Sequence, residues 1–116
     1  MNCKGITGTV VLIIMCLIVR GQMFVTDSLT ALLSASSGAR KAELLAEISS
    51  HYFKVNPVKG ISFGRQALRM ADSLRLPSLK SKAYNSIGAN YLVMNKIDTA
   101  RSFFILGKEN ATLFHD

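Results

Sequence analysis

"SKAYNSIGANYLVMNKIDTARSFF", residues 81–104, decides how this chain folds. Tyr84, Ile87, Gly88 and Tyr91 recur at intervals of three and four, which places them on one face of an α-helix. "NKID" at 95–98 is a tight turn. Asp98 is placed to cap the next helix, in which Ala100 and Phe104 lie. Little charge interrupts this apolar face, and no enzyme motif has its shape. It reads as a packing code. Gly88 and Ala100 let two helices of a pair approach closely, while Tyr and Phe fill the gap to the next pair.

The code occurs twice. "LLAEISSHYFKVNPVKGISFGRQAL" (44–68) lies over "YNSIGANYLVMNKIDTARSFFILGK" (84–108). Ile48 falls on Ile87, Tyr52 on Tyr91 and Asn56 on Asn95, each offset by 39. After the turn the first copy is one residue shorter, so Gly60 falls on Ala100 and Ala67 on Gly107. Asn56-Pro57 marks the boundary between the helices of the first copy, because the residue before proline leaves the α region and proline starts a helix well. Gly60 and Gly64 inside the second of those helices each cost about 1 kcal/mol relative to Ala. Their four-residue spacing predicts a neighbouring helix very close at that point. The second copy should turn Tyr84, Ile87, Gly88, Tyr91 and Leu92 inward.

These positions resemble the tetratricopeptide repeat, a helix–turn–helix unit of about 34 residues stacked into a superhelix. Tyr84, Ile87, Gly88, Tyr91, Ala100 and Phe104 stand in order on the family's aromatic, Leu, Gly, Tyr, Ala and Phe positions. Gly107 stands where the family prefers Ala. In the first copy Leu45, Ile48 and Tyr52 agree, Ser49 replaces Gly, and Gly60 replaces Ala. The resemblance covers residues 42–113. It implies an all-α chain of antiparallel helix pairs stacked as a right-handed solenoid of about two repeats, 42–79 and 80–116.

Ahead of the repeats stand an N-terminal segment, 1–21, and a short helix and loop, 22–41. "ITGTVVLIIMCLIV" (6–19) is almost uniformly apolar, preceded by Lys4 and followed by "RGQ". That is the layout of a secretory signal peptide, with cleavage between Gly21 and Gln22. The alternative is an uncleaved membrane anchor, although the run is short for a span that takes roughly 20 residues. Met15 before Cys16 argues against lipid attachment. Both cysteines, Cys3 and Cys16, fall inside this segment, so a cleaved product has no disulfide, thiolate metal site or cysteine nucleophile. Thr26 or Asp27 should cap the next helix, and "SSGA" (36–39) should end it.

Without the first 21 residues the chain keeps 12 basic and 7 acidic side chains, net +5. The basic residues are scattered, not arranged as a stripe with interleaved aromatics, which excludes a nucleic-acid role for this segment. His51 and His115 are 64 residues apart with no converging ligands. Glu43 and Glu47 read as an exposed charged face near Lys41. The serines lack a nucleophile elbow, and "GISFGR" (60–65) lacks the lysine of a phosphate loop. Met70 and Met94 read as core filler. No cofactor, metal or catalytic group is expected.

The resemblance implies a non-catalytic, exported module, periplasmic or in the cell envelope, that binds a protein or peptide through the first helix of each pair. The expected partner residues are Lys82, Asn85 and Asn90 in the second copy and Ser50 and Lys54 in the first. A narrower resemblance, carried by "DSL", "NP-K", "QAL-MADSL" and "KAYNSIG", is to the exported N-terminal region of Bacteroidetes-type sensor histidine kinases and regulators. On that reading the chain is a truncated sensor held in the inner membrane, and further repeats would come after it. The membrane would be touched only through residues 6–19. The last helix, with Phe103, Phe104 and Phe114 lacking a cover, is expected to support a homo-oligomer.

Overall fold

A computed structural model describes the backbone of residues 3–114 and the side chains of residues 8–18, 20 and 27–113. Gly21, Gln22 and Phe114 are outside the described side chains, and His115 is outside the described residues. The described chain is all-α, in the order α1 (Cys3–Ser34), α2 (Gly38–Tyr52), α3 (Pro57–Ser73), α4 (Pro77–Val93) and α5 (Ile97–Phe114).

The punctuation sets these limits. Asn56 is the N-cap of α3, its Oδ1 accepting from the Lys59 amide at 3.2 Å, and Pro57 comes next at the first helical position. Pro77 likewise starts α4. The ends of α3 and α4 close alike. Leu76 N donates to Ala71 O and Arg75 N to Asp72 O, while Lys96 N donates to Tyr91 O and Asn95 N to Leu92 O. This double back-bonding places Arg75 and Asn95 at φ 55° and 62°. Asn56 and Asn95 therefore do different work despite their sequence match. The α5 helix begins at Ile97, so Asp98 lies in its first turn and does not cap it.

Helix α1 is continuous through the expected caps at Thr26 and Asp27, since nothing from Arg20 to Thr30 breaks a helix. Val10 to Met15, Leu17 and Ile18 are 46–66% exposed on every side of it. Among the described residues, no helix is long and apolar enough to cross a membrane. The C-terminal end of α1 packs on α2, with Leu33 against the cluster of Leu45, Ala46, Ala67 and Ala83.

Helices α2 and α3 form one pair, and α4 and α5 a second. Helix α4 packs against both α2 and α3, so the core lies where these three meet. Leu44, Leu45, Ile48 and Ile87 are its largest buried apolar side chains, each worth about 1.5–3 kcal/mol of burial. Ala67, Ala71, Ala83 and Ala100 are buried beside them, and Met70 packs at the edge. Leu92, expected inward, is 51% exposed and lines an open groove with Ile97, Ala100 and Phe104 of α5.

The glycines mark the close approaches. A Cβ on Gly64 would lie 2.6 Å from Ile87 Cγ1 and 2.8 Å from Ser49 Oγ. One on Gly88 would lie 2.9 Å from the Phe104 ring and 3.2 Å from Ala100 O. The aromatic rings stack inside each pair: Tyr52 on Phe63 at 5.5 Å and Tyr91 on Phe103 at 5.4 Å, with Tyr84 tilted against Phe103 at 6.3 Å. Tyr91 also reaches the first pair, its hydroxyl accepting from Arg65 Nη2 at 3.1 Å.

Candidate interaction face

The side chains expected to meet a partner are carried by α2, the turn after it, and α4; α2 and α4 lie side by side. Their seam is polar. Ser50 Oγ and Ser86 Oγ share a hydrogen bond at 2.9 Å, and Lys82 Nζ lies 3.7 Å from Glu47 Oε1. Both partners of that ion pair keep about 35–41% of their side-chain surface, so it is worth under about 1 kcal/mol. Lys82, Asn85, Ala89 and Val93 succeed one another at helical spacing along α4, and Asn85 and Val93 are exposed. Lys54 stands in the turn after α2, its Nζ 5.3 Å from the Phe53 ring centre. The result is a face with two ammonium groups, an amide, a hydroxyl and a small apolar patch.

Asn90 does not belong to this face. It is fully buried where α2, α3 and α4 meet. Its Nδ2 donates to Ser49 O at 3.0 Å, Ser49 Oγ at 3.3 Å and Ser86 O at 2.8 Å. Ser49 Oγ in turn donates to Gly60 O at 2.6 Å. Asn90 Oδ1 has no hydrogen-bond partner and packs against Gly60, where a Cβ would lie 2.7 Å from Asn90 Cγ. The asparagine is a structural rivet between helices, and its polar side chain hid it in the sequence. Asn85 is exposed as expected, but it also leans on α5, where a Cβ on Gly107 would lie 2.6 Å from its Oδ1.

Two residues of the seam were not expected there: Glu47 reads in the sequence only as part of an exposed charged face, and Ser86 carries no signal. Their partners, Lys82 and Ser50, are 35 and 36 positions away, and only the stacking of α4 on α2 brings them together. Glu43 pairs with Arg40 at 3.0 Å, as an exposed charged surface would. Among the described residues there is no group of three His, Cys, Asp or Glu that could hold a metal ion. The α4–α5 contact has its own polar ties. Asn110 Nδ2 donates to Pro77 O at 2.6 Å and to Ser81 Oγ at 2.8 Å, while Ser81 Oγ donates to Gly107 O at 3.0 Å. No protein-family model, curated protein or solved structure matches this chain.

Proposed function

We propose that this chain is a non-catalytic helical-repeat module of the tetratricopeptide type, which binds an extended protein or peptide segment across α2 and α4. The observation that carries this reading is the seating of α4 on both helices of the preceding pair. It sets the first helices of the two pairs side by side and leaves Ser50, Lys54, Lys82 and Asn85 along their open side. Ammonium and amide groups on a rigid helical face suit the carbonyls and carboxylates of an extended chain.

Export is part of the same proposal. The exposed apolar stretch of α1 makes little use of the helix pairs, which suits a segment read by an export machinery or held at a membrane. A cleaved product would be periplasmic or in the cell envelope. A retained α1 would favour the second reading, an anchored sensor region.

The test is selection of displayed random peptides on the full chain, then titration of the selected peptides against Ser50→Trp, Lys54→Glu, Lys82→Glu and Asn85→Ala. Loss of about tenfold or more in affinity with unchanged helicity supports the face. Failure to enrich any peptide, or binding indifferent to all four changes, overturns it. The intact mass of the exported chain decides between cleavage at Gly21–Gln22 and retention.

A further inference from the structure

We propose that two copies of this chain pair through α5, antiparallel, with Ile105 on the two-fold axis. The proposal uses none of the residues of the α2–α4 face and stands or falls separately from the peptide reading.

The starting point is a row of exposed side chains. Ile97, Arg101, Ile105, Glu109 and Leu113 succeed one another at four-residue spacing on α5, and all five are exposed. Ile97, Ile105 and Leu113 are 52, 48 and 75% exposed. Rows at this spacing are the ridges by which helices pack. Each step of four turns the row by about 40°, so Arg101, Ile105 and Glu109 share one face while Ile97 and Leu113 lie on its two flanks. Beside it runs a groove of about 330 Å³ lined by Leu92, Ile97, Phe104 and Ile105 together with Arg101 and Lys108. Exposed apolar side chains gathered with a charged border mark a site of association.

The order of charges in the row names the partner. Across the face centred on Ile105 it reads positive, apolar, negative. Run against itself in the opposite direction about Ile105, Arg101 of one copy meets Glu109 of the other, and Ile105 meets Ile105. Both charged contacts recur by symmetry, as a self-complementary two-fold interface requires. A shift of one turn either way sets the charged residues against apolar ones. Within the chain these charges are nearly uncommitted. Arg101 lies 3.9 Å from an almost fully exposed Asp98, and among the described residues Glu109 has no ion-pair partner.

The face does not simply repeat the seat that α4 occupies on the first pair. There, Gly64 opens the surface to Ile87 of the next pair. On the second pair the equivalent position is Phe104, whose ring lies against Gly88 and closes that socket. A ridge is offered in place of a hole.

The experiment is analytical ultracentrifugation of the full chain in a mild detergent that shields α1, over a wide concentration range. The expected result is a concentration-dependent dimer. Arg101→Glu and Glu109→Arg each weaken it by about tenfold or more, because two like-charge contacts replace two opposite ones. The double exchange Arg101→Glu with Glu109→Arg restores it. In a chain with Cys3 and Cys16 changed to Ser, Ile105→Cys gives a disulfide-linked dimer on mild oxidation, and Ser102→Cys does not. These residues are exposed, so circular dichroism should be unchanged throughout. A monomer at every concentration, a dimer indifferent to the single exchanges, or a double exchange no tighter than the singles overturns the proposal.

Discussion

Asn90 and Gly60 are interlocked. The asparagine is anchored by its Nδ2 to Ser49 O and Ser86 O, and its Oδ1 rests where a Gly60 side chain would begin. Gly60→Ala should gain about 1 kcal/mol of helix propensity. It should lose more to the overlap, because the amide is held on its other side, for a net loss of about 1–3 kcal/mol. Asn90→Ala removes the obstacle, so in that background Gly60→Ala should become neutral or stabilising. Urea unfolding of the four proteins of this cycle measures the coupling, and additive effects would refute the interlock.

Ser49 and Gly64 make the same kind of fit in the first pair as Gly88 and Phe104 make in the second. The bulk sits on opposite partners. Gly88→Ser should press the hydroxyl into the Phe104 ring and cost about 1–3 kcal/mol. Adding Phe104→Ala should recover part of the loss at Gly88 while leaving a cavity of its own. Thermal unfolding of the singles and the double checks both statements.

Arg75 and Asn95 occupy the left-handed region at the ends of α3 and α4, where an L side chain is disfavoured. Neither side chain is buried. Arg75→Gly and Asn95→Gly should therefore each raise stability by about 0.5–1 kcal/mol, arginine the more because asparagine tolerates this conformation better. Denaturant midpoints that fall on either substitution would contradict the assigned helix ends.

Lys80 Nζ lies 2.7 Å from Asp72 Oδ1, tying the end of α3 to the start of α4. The hydrogen bond that Lys80 donates to Asp72 raises the lysine above its ordinary value of 10.5, against a smaller desolvation effect. Since the folded state holds the proton more tightly, the lysine side of this tie is complete at neutral pH. It weakens only as pH climbs past 10.5 through the raised value. Asp72→Asn should lower the Lys80 titration midpoint seen by NMR. It should change stability at pH 7 by less than about 1 kcal/mol, the pair being largely exposed.

Much of this fold was legible because its signals are local. Ile48, Ile87, Ala67 and Ala100 announce their faces within one helix, and Asn56-Pro57 carries its boundary in two letters. Gly60 and Gly64 announced a close neighbour, and Ile87, Asn90 and Ser49 are what comes close. The fate of Asn90 was not legible. It shares its residue type with the exposed Asn85 on the same helix, and its burial depends on Ser49, 41 positions away. The ring partners were not legible either: Tyr52 stacks on Phe63 and Tyr91 on Phe103, while Tyr91 also accepts from Arg65 of the other pair. Periodicity gives the direction of a side chain from its helix axis, but the neighbour met in that direction is a property of the assembled molecule.

The opposite placement of bulk at Ser49–Gly64 and Gly88–Phe104 bears on modularity. The two pairs share a pattern yet are not interchangeable parts. A chain built from two copies of the second pair would bring a phenylalanine ring to the point where Ile87 enters beside Gly64. A chain built from two copies of the first would leave the space at Gly88 half-filled. Sequential order is thus written into side-chain volume, and any recombination of these halves must exchange Gly64 and Phe104 together with their partners.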